Sequence, residues 1–202
     1  MSKLLLATNN PAKAREYRSL LKDTGYELVT PSEVGINLSV AETGSSLREN
    51  ARLKATALAA KSGLLTLADD SGLFVDALGG QPGVLSARYA GVQATDRERL
   101  DYLLNKLKDV PWEKRTAQFR CVIAITTPGG RVDFYQGQCS GFIALTPSGE
   151  GGFGYDPVFY LPRLGKTMAE LPPEVKDSLS HRSRAARKAA KALRRLRNQQ
   201  TA

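Results

Sequence analysis

The sequence predicts an α/β domain built on an elongated mixed β-sheet with flanking helices, pinched into two lobes. Three observations point there. Short apolar strand-like runs alternate with capped, amphipathic helices through the first half. A two-residue alternation on either side of Pro128-Gly129-Gly130 then gives a long hairpin. Apolar residues at helical spacing close the chain.

Lys3 to Ala7 reads as a buried strand passing through Thr8, Asn9 and Asn10 into a helix, with Asn10 as N-cap and Pro11 at the first helical position. Ser46 and Glu49 have the capping-box spacing before a second helix, whose Leu47, Ala51, Ala55 and Leu58 share one side and whose end is marked by Gly63. The strand Leu64 to Ala68 follows at once. Thr95 and Glu98 repeat the capping pattern ahead of a third helix with Leu100, Leu103, Leu104 and Leu107 inward. Ala117, Phe119, Cys121, Ile123 and Ile125 alternate with more polar positions, and Arg131 to Leu145 returns as the second arm of the hairpin. Val158 to Tyr160 is one more short strand. In the terminal helix Ala185, Ala189, Ala192 or Leu193, and Leu196 recur at helical spacing.

Composition bounds the function. The chain has 202 residues, 42% hydrophobic and 24% charged, enough for one substantial core, and a single domain over 1-202 is expected. No apolar run has the length of a bilayer span, and the N-terminus opens on a strand-like stretch without a signal-peptide pattern, so no membrane partner and a cytoplasmic location are expected. Cys121 and Cys139 lack Cys-x-x-Cys spacing and His181 is the only histidine, which argues against zinc or thiol redox chemistry and for reduced structural thiols. The net charge is +9, and eight Lys or Arg with no acid lie between Arg182 and Arg197. The favoured reading of that segment is a docked helix with a solvated basic face, ahead of a nucleic-acid or membrane patch.

Asp69 and Asp70 stand together after the apolar run Leu64 to Ala68, followed by Ser71 and Gly72. Adjacent strand residues point in different directions, so one carboxylate can hold a hard cation while the other reaches a water beside it. The competing reading is a solvated turn. Lys13 falls in the opening turn of a helix whose free N–H groups favour anions, although the loop lacks the glycines of a nucleotide P-loop. Lys54 lies among Ala51, Ala55 and Leu58, where an ammonium borders a cleft or snorkels to water. Glu42, with Thr43 and Gly44, occupies a loop able to approach the acids. Gly151 to Pro157 combines backbone freedom, the aromatic faces of Phe153 and Tyr155, and the Asp156 carboxylate. These suit stacking on a planar base and accepting from its edge, or a tight connection with core aromatics. Lys176, His181 and Arg182 add donors, or serve as caps and surface charge.

Taken in order, Thr8-Asn9-Asn10 with Lys13, Glu42-Thr43-Gly44, Glu49-Asn50-Ala51 with Lys54, Asp69-Asp70-Ser71-Gly72-Leu73, Gly152 to Pro157, and Ser180-His181-Arg182 carry a family resemblance. From residue 3 to about residue 190 the chain resembles the inosine/xanthosine triphosphate pyrophosphatase family, also called Ham1-like or RdgB-like. The resemblance implies a homodimer with the active-site cleft between its lobes. It implies hydrolysis of the deaminated purine triphosphates ITP, dITP and XTP to monophosphate and pyrophosphate with Mg²⁺, cleansing the nucleotide pool. Thr8, Asn9, Asn10, Pro11, Ala12, Lys13 and Lys54 would hold phosphates. Glu42, Asp69 and Asp70 would bind metal, with Asp70 also activating the attacking water, and Ser71 would contact substrate. Phe153, Gly154, Tyr155, Asp156, Lys176, His181 and Arg182 would form the base pocket. Gly83 to Gly91, with Arg88 and Tyr89, resembles a further signature near the dimer contact or the cleft. Ser46, Leu47 and Arg48 depart from the usual lead into Glu49.

Two other readings compete. One is a Maf-like pyrophosphatase for modified pyrimidines, against which the Phe153 to Asp156 motif argues. The other is a nucleic-acid-binding protein using the basic helix, which the reading disfavours. On the resemblance, Arg182→Ala should lose selectivity for ITP over ATP; an unaltered ratio would remove Arg182 from base reading.

Overall fold

The computed structural model describes residues 2–201. Seven strands form one mixed sheet in the order β2-β1-β3-β4-β5-β6-β7. They are β1 (Lys3–Leu6), β2 (Glu27–Val29), β3 (Leu65–Val75), β4 (Thr116–Thr126), β5 (Asp133–Ile143), β6 (Phe159–Leu161) and β7 (Lys166–Thr167). The helices are α1 (Pro11–Leu21), α2 (Leu47–Ser62), α3 (Asp96–Lys106), α4 (Pro173–Leu179) and α5 (His181–Thr201). The α/β class and the mixed sheet with flanking helices are as the sequence predicts. Strands β1, β2 and β3 pair in parallel, with Leu6 opposite Leu67, whereas β5, β6 and β7 pair antiparallel. Leu4, Leu5 and Leu6 are all fully buried, the signature of a parallel strand covered on both faces.

The chain divides into two compact units. The first comprises Met1–Asp70, Cys121–Gly137 and His181–Ala202, and the second Ser71–Arg120 and Gln138–Ser180. Each has its own core. In the first, Leu4, Leu6, Tyr17, Leu21, Leu67 and Ile123 pack with the alanines of α5. In the second, Leu73, Leu103, Leu107, Phe119, Val158 and Phe159 pack together.

Local chemistry fixes the helix starts. The Asn10 side chain accepts from the Ala12 and Lys13 amides at 2.9 and 3.2 Å, and Pro11 supplies the preset φ of the first turn. Thr95 and Glu98 make a complete capping box. At α2 only half of the expected box forms: Ser46 caps the Glu49 amide, while the Glu49 carboxylate reaches the Ser45 amide instead. Gly63 closes α2 in the left-handed conformation.

Three expectations are corrected. Strand β3 does not stop at Ala68 but runs through Asp69, Asp70 and Ser71 to Val75, and both acids are buried, so the solvated-turn reading fails. The short strand after the glycine-rich loop begins at Phe159, because Asp156 to Val158 forms a 3-10 turn. In α5 the buried stripe is Ala185, Ala186, Ala189, Ala190 and Leu193, while Ala192 and Leu196 sit at its half-buried margin.

Gly72 shows why a strand can run on past the acids. A β-carbon there would lie 2.2 Å from the Gly83 carbonyl oxygen. That approach lets the Ser86 hydroxyl accept the Leu73 amide at 2.9 Å and donate to the Gly83 carbonyl at 2.6 Å. Gly72→Ala should therefore destabilise the fold by about 1–3 kcal/mol through overpacking, measured as a Tm several degrees lower; an unchanged Tm would contradict the close approach.

Candidate active site

The site in the first unit forms where parallel strands end and helices begin, the position at which open α/β sheets collect ligands. The Ala7 amide donates to Leu67, after which the chain leaves the sheet through Thr8, Asn9 and Asn10. Thr8 accepts the Asn10 amide at 3.1 Å, tightening the loop. A cavity of about 390 Å³ adjoins it, lined by Thr8, Asn9, Asn10, Pro11, Arg15 and Glu33 among others. Lys13, in the first turn of α1, places its ammonium 3.2 Å from Asp69.

Asp69 and Asp70 have different partners because successive strand residues face opposite ways. Asp69 meets α1 and α5: Lys13 on Oδ1, and Arg182 on Oδ2 at 3.4 Å. The other arm of the Arg182 guanidinium is 2.7 Å from Glu16, and the Tyr17 ring lies beneath it. The Cys121 thiol stands 3.9 Å from Asp69 Oδ2. Gly137 permits this packing, since a β-carbon there would lie 2.2 Å from the His181 carbonyl at the head of α5.

Asp70 meets α2. Asn50, fully buried, donates from Nδ2 to Asp70 Oδ2 at 3.2 Å and accepts the Gly44 amide on Oδ1 at 2.8 Å. One side chain thus ties the Glu42-Thr43-Gly44 loop to the acid. The Lys54 ammonium lies between Glu42, at 2.5 Å, and Asp70 Oδ1, at 3.5 Å.

These surroundings give the two acids opposite titration behaviour. Burial pushes the Asp69 carboxyl upward, but Lys13, Arg182 and Lys54 outweigh it and hold the group well below the ordinary aspartate range. Burial likewise pushes Asp70 upward, Glu42 adds to the rise, and Lys54 does not cancel it, so Asp70 titrates above the ordinary range. Burial also lifts the Cys121 thiol, reinforced by the charge on Asp69, to about 12. Asp69 is a buried, compensated anion; Asp70 is a more readily protonated one.

The second unit holds the glycine-rich loop. Asp156 and Lys176 are both buried and 2.6 Å apart, and Asp156 also accepts the Phe153 amide at 2.9 Å. The Lys176 ammonium is 5.0 Å from the centre of the half-buried Phe153 ring. Gly152, at positive φ, cannot be replaced, because a β-carbon would collide with the Asp156 carboxylate. Tyr155 belongs to the core, its hydroxyl donating to the Ser86 carbonyl at 2.9 Å. Asp96, at the start of α3, accepts the Gly154 amide at 2.9 Å and fixes the loop from outside.

The structure therefore groups Lys13 with Asp69 and Arg182, Lys54 with Glu42 and Asp70, and Asp156 with Lys176 and Phe153. His181 is buried at the start of α5, and Ser71 follows Asp70 half-buried on β3. It does not gather Glu42, Asp69 and Asp70 around one point. Among the described residues no group of three or more His, Cys, Asp or Glu side chains is arranged to hold a metal ion. The sequence assigned no role to Glu16, Asp96 or, beyond its place in a motif, Asn50. Asn50 left a signal, a polar residue three positions after Leu47 on the apolar stripe of α2. Glu16 and Asp96 left none, since an acid within a helix such as α1, or in a first turn as Asp96 is in α3, is ordinary.

Fold and site together define an α/β protein that gathers lysines and carboxylates where its parallel strands meet their helices. The chain belongs to the Ham1 family, whose model matches residues 4–192. It is 51% identical over 198 residues to a dITP/XTP pyrophosphatase of Yersinia pseudotuberculosis, covering 96% of this chain and 99% of that one. It is 50% identical over 185 residues to the dITP/XTP pyrophosphatase of Geobacillus kaustophilus, covering 92% and 91%. A HAM1 protein from Coxiella burnetii has a similar solved structure, with TM-score 0.87 and 40% identity over 96% of this chain and 98% of that one.

Proposed function

We infer that this protein hydrolyses deaminated purine nucleoside triphosphates, dITP, XTP and ITP, to the monophosphate and pyrophosphate, acting in the cytoplasm as a Mg²⁺-dependent homodimer that cleanses the nucleotide pool. Two relatives called dITP/XTP pyrophosphatase, at about half identity over nearly their whole length, support the substrate class. The observation that carries the chemistry is the contrast between the neighbouring acids. Asp69 is neutralised by Lys13 and Arg182, whereas Asp70 is held by Asn50 beside Lys54 with its carboxyl raised.

Cleavage between the α- and β-phosphates needs a water aimed at the α-phosphorus and charge stabilisation for the departing pyrophosphate. In this reading Asp70 takes the proton of the water as its oxygen bonds to phosphorus. The electron pair of the broken P–O bond leaves on pyrophosphate. A base works best when its pKa lies nearer the working pH, and burial moves Asp70 in that direction. The Thr8 to Lys13 loop, with its helix N-terminus, and Lys54 bind phosphate oxygens.

The donor set fits magnesium through Glu42 and Asp70, two hard oxygen ligands already flanking one cationic group, Lys54. When bound there, the ion neutralises phosphate charge. Asp69, with three cations around it, serves in this reading as the anchor for Lys13 and Arg182.

Base selection follows from the pair in the second unit. Hypoxanthine and xanthine present an acceptor at O6 beside a donor at N1–H, and Lys176 and Asp156 offer the complementary donor and acceptor. Adenine reverses both and would leave buried groups opposed, a penalty of up to about 10⁴-fold. Phe153 supplies a face for stacking. Guanine shares O6 and N1–H, so its rejection must rest on the 2-amino group.

The test is a panel of triphosphates with Mg²⁺, scored for pyrophosphate release. ITP, dITP and XTP should be cleaved and ATP spared, and intact ITP would overturn the proposal. Asp70→Asn should abolish turnover while nucleotide still binds, read by calorimetry; full activity in that variant would reject Asp70 as the base.

A further inference from the structure

Helix α5 carries a feature that hydrolysis does not use. Its buried stripe, Ala185, Ala186, Ala189, Ala190 and Leu193, is spent on the core of the first unit. On the opposite side Arg184, Arg187, Lys188, Lys191, Arg194 and Arg195 are all exposed. At 100° per residue these six fall within about 120° of arc and run about 16 Å along the axis. No acid lies between Arg182 and Arg197 to interrupt them. The row is fixed to the body of the unit: the Lys188 ammonium donates to the Gln136 carbonyl at 2.6 Å, and the Arg197 guanidinium covers Gly25.

We propose that the outer face of α5 is a docking strip for the phosphate backbone of duplex DNA. The chemistry of the row selects that partner. Six exposed cations in one row, on a helix segment that itself contains no acid, match a polyanion, and guanidinium groups, four of the six, pair with phosphate bidentately. A membrane surface is the poorer match, because an interfacial helix must sink an apolar face into lipid and that of α5 is already buried. Single-stranded nucleic acid is also poorer, because such sites interleave aromatic side chains for stacking and α5 has none. Between duplexes, the B-form major groove admits a helix whereas that of RNA is too deep and narrow. In this proposal the cations of the strip are engaged with phosphates, contacts that position a protein on the duplex without carrying sequence information. The solvated-face reading of the sequence accounts for the solubility of this helix but not for the uninterrupted sign of its exposed arc.

The experiment uses the full chain and a labelled DNA duplex of about two helical turns, followed by fluorescence anisotropy between about 50 and 200 mM salt. Log affinity should fall with log salt with a slope of about −4 to −5. The triple variant Lys191→Glu, Arg194→Glu, Arg195→Glu should bind at least about 50-fold more weakly, with a slope near −2. A control with the same charge change in the second unit, Lys108→Glu, Lys114→Glu, Arg163→Glu, should bind nearly as the parent does. Tm values near the parent's show that both variants are folded. Equal losses in the two variants would reduce the effect to net charge and overturn the proposal. Absence of binding by the parent at low salt, or tighter binding to anionic vesicles than to the duplex, would overturn it as well.

Discussion

Two carboxylates on consecutive residues of a buried strand set the problem that the first unit solves. Neither can be ionised there without cations, and the alternation of the strand sends them to opposite faces, so each face must supply its own. On one side α1 and α5 deliver Lys13 and Arg182 to Asp69, with Glu16 balancing the second arm of the guanidinium. On the other, α2 delivers Lys54 and Asn50 to Asp70, and Lys54 is shared with Glu42. The helices are placed as much by this charge compensation as by the packing of their apolar stripes.

The arrangement divides labour between identical side chains. Three neighbouring cations stabilise Asp69 as an anion, and its burial makes the contacts with two of them, Lys13 and Arg182, costly to break. Asp70 has fewer compensating charges and a second acid close by, which leaves it free to exchange a proton. On the proposed mechanism, the first unit thereby pairs a rigid ionic anchor with the residue that would serve as base, one position apart. In the second unit the same economy appears in Asp156 and Lys176, a buried pair whose donor and acceptor stand side by side beside an aromatic ring.

Much of this was legible in the sequence where local chemistry decides structure. Asn10-Pro11, Thr95 with Glu98, and Gly63 marked helix ends that the structure has, and the alternation around Pro128 to Gly130 marked β4 and β5. What was hidden depends on tertiary contact. The continuation of β3 through two acids contradicts strand propensity and is possible only because cations and Gly72 are brought to it from elsewhere. For Tyr155 the sequence left stacking and core packing both open, and only its tertiary neighbours place the ring in the core. Arg182, assigned to the base pocket by resemblance, has its guanidinium on Glu16 and Asp69, residues 166 and 113 positions away, a partnership no local pattern announces.

The division between anchor and base is tested most directly by denaturant unfolding of Asp69→Asn and Asp70→Asn beside the parent near neutral pH. Asp69→Asn leaves Arg182 and Lys13 without their shared anion and should lose about 3–5 kcal/mol of stability, as breaking a buried ion pair does. Asp70→Asn removes a carboxylate that the fold holds at a cost and should leave stability within about 1 kcal/mol of the parent. Equal losses in the two variants, or the larger loss in Asp70→Asn, would contradict the account.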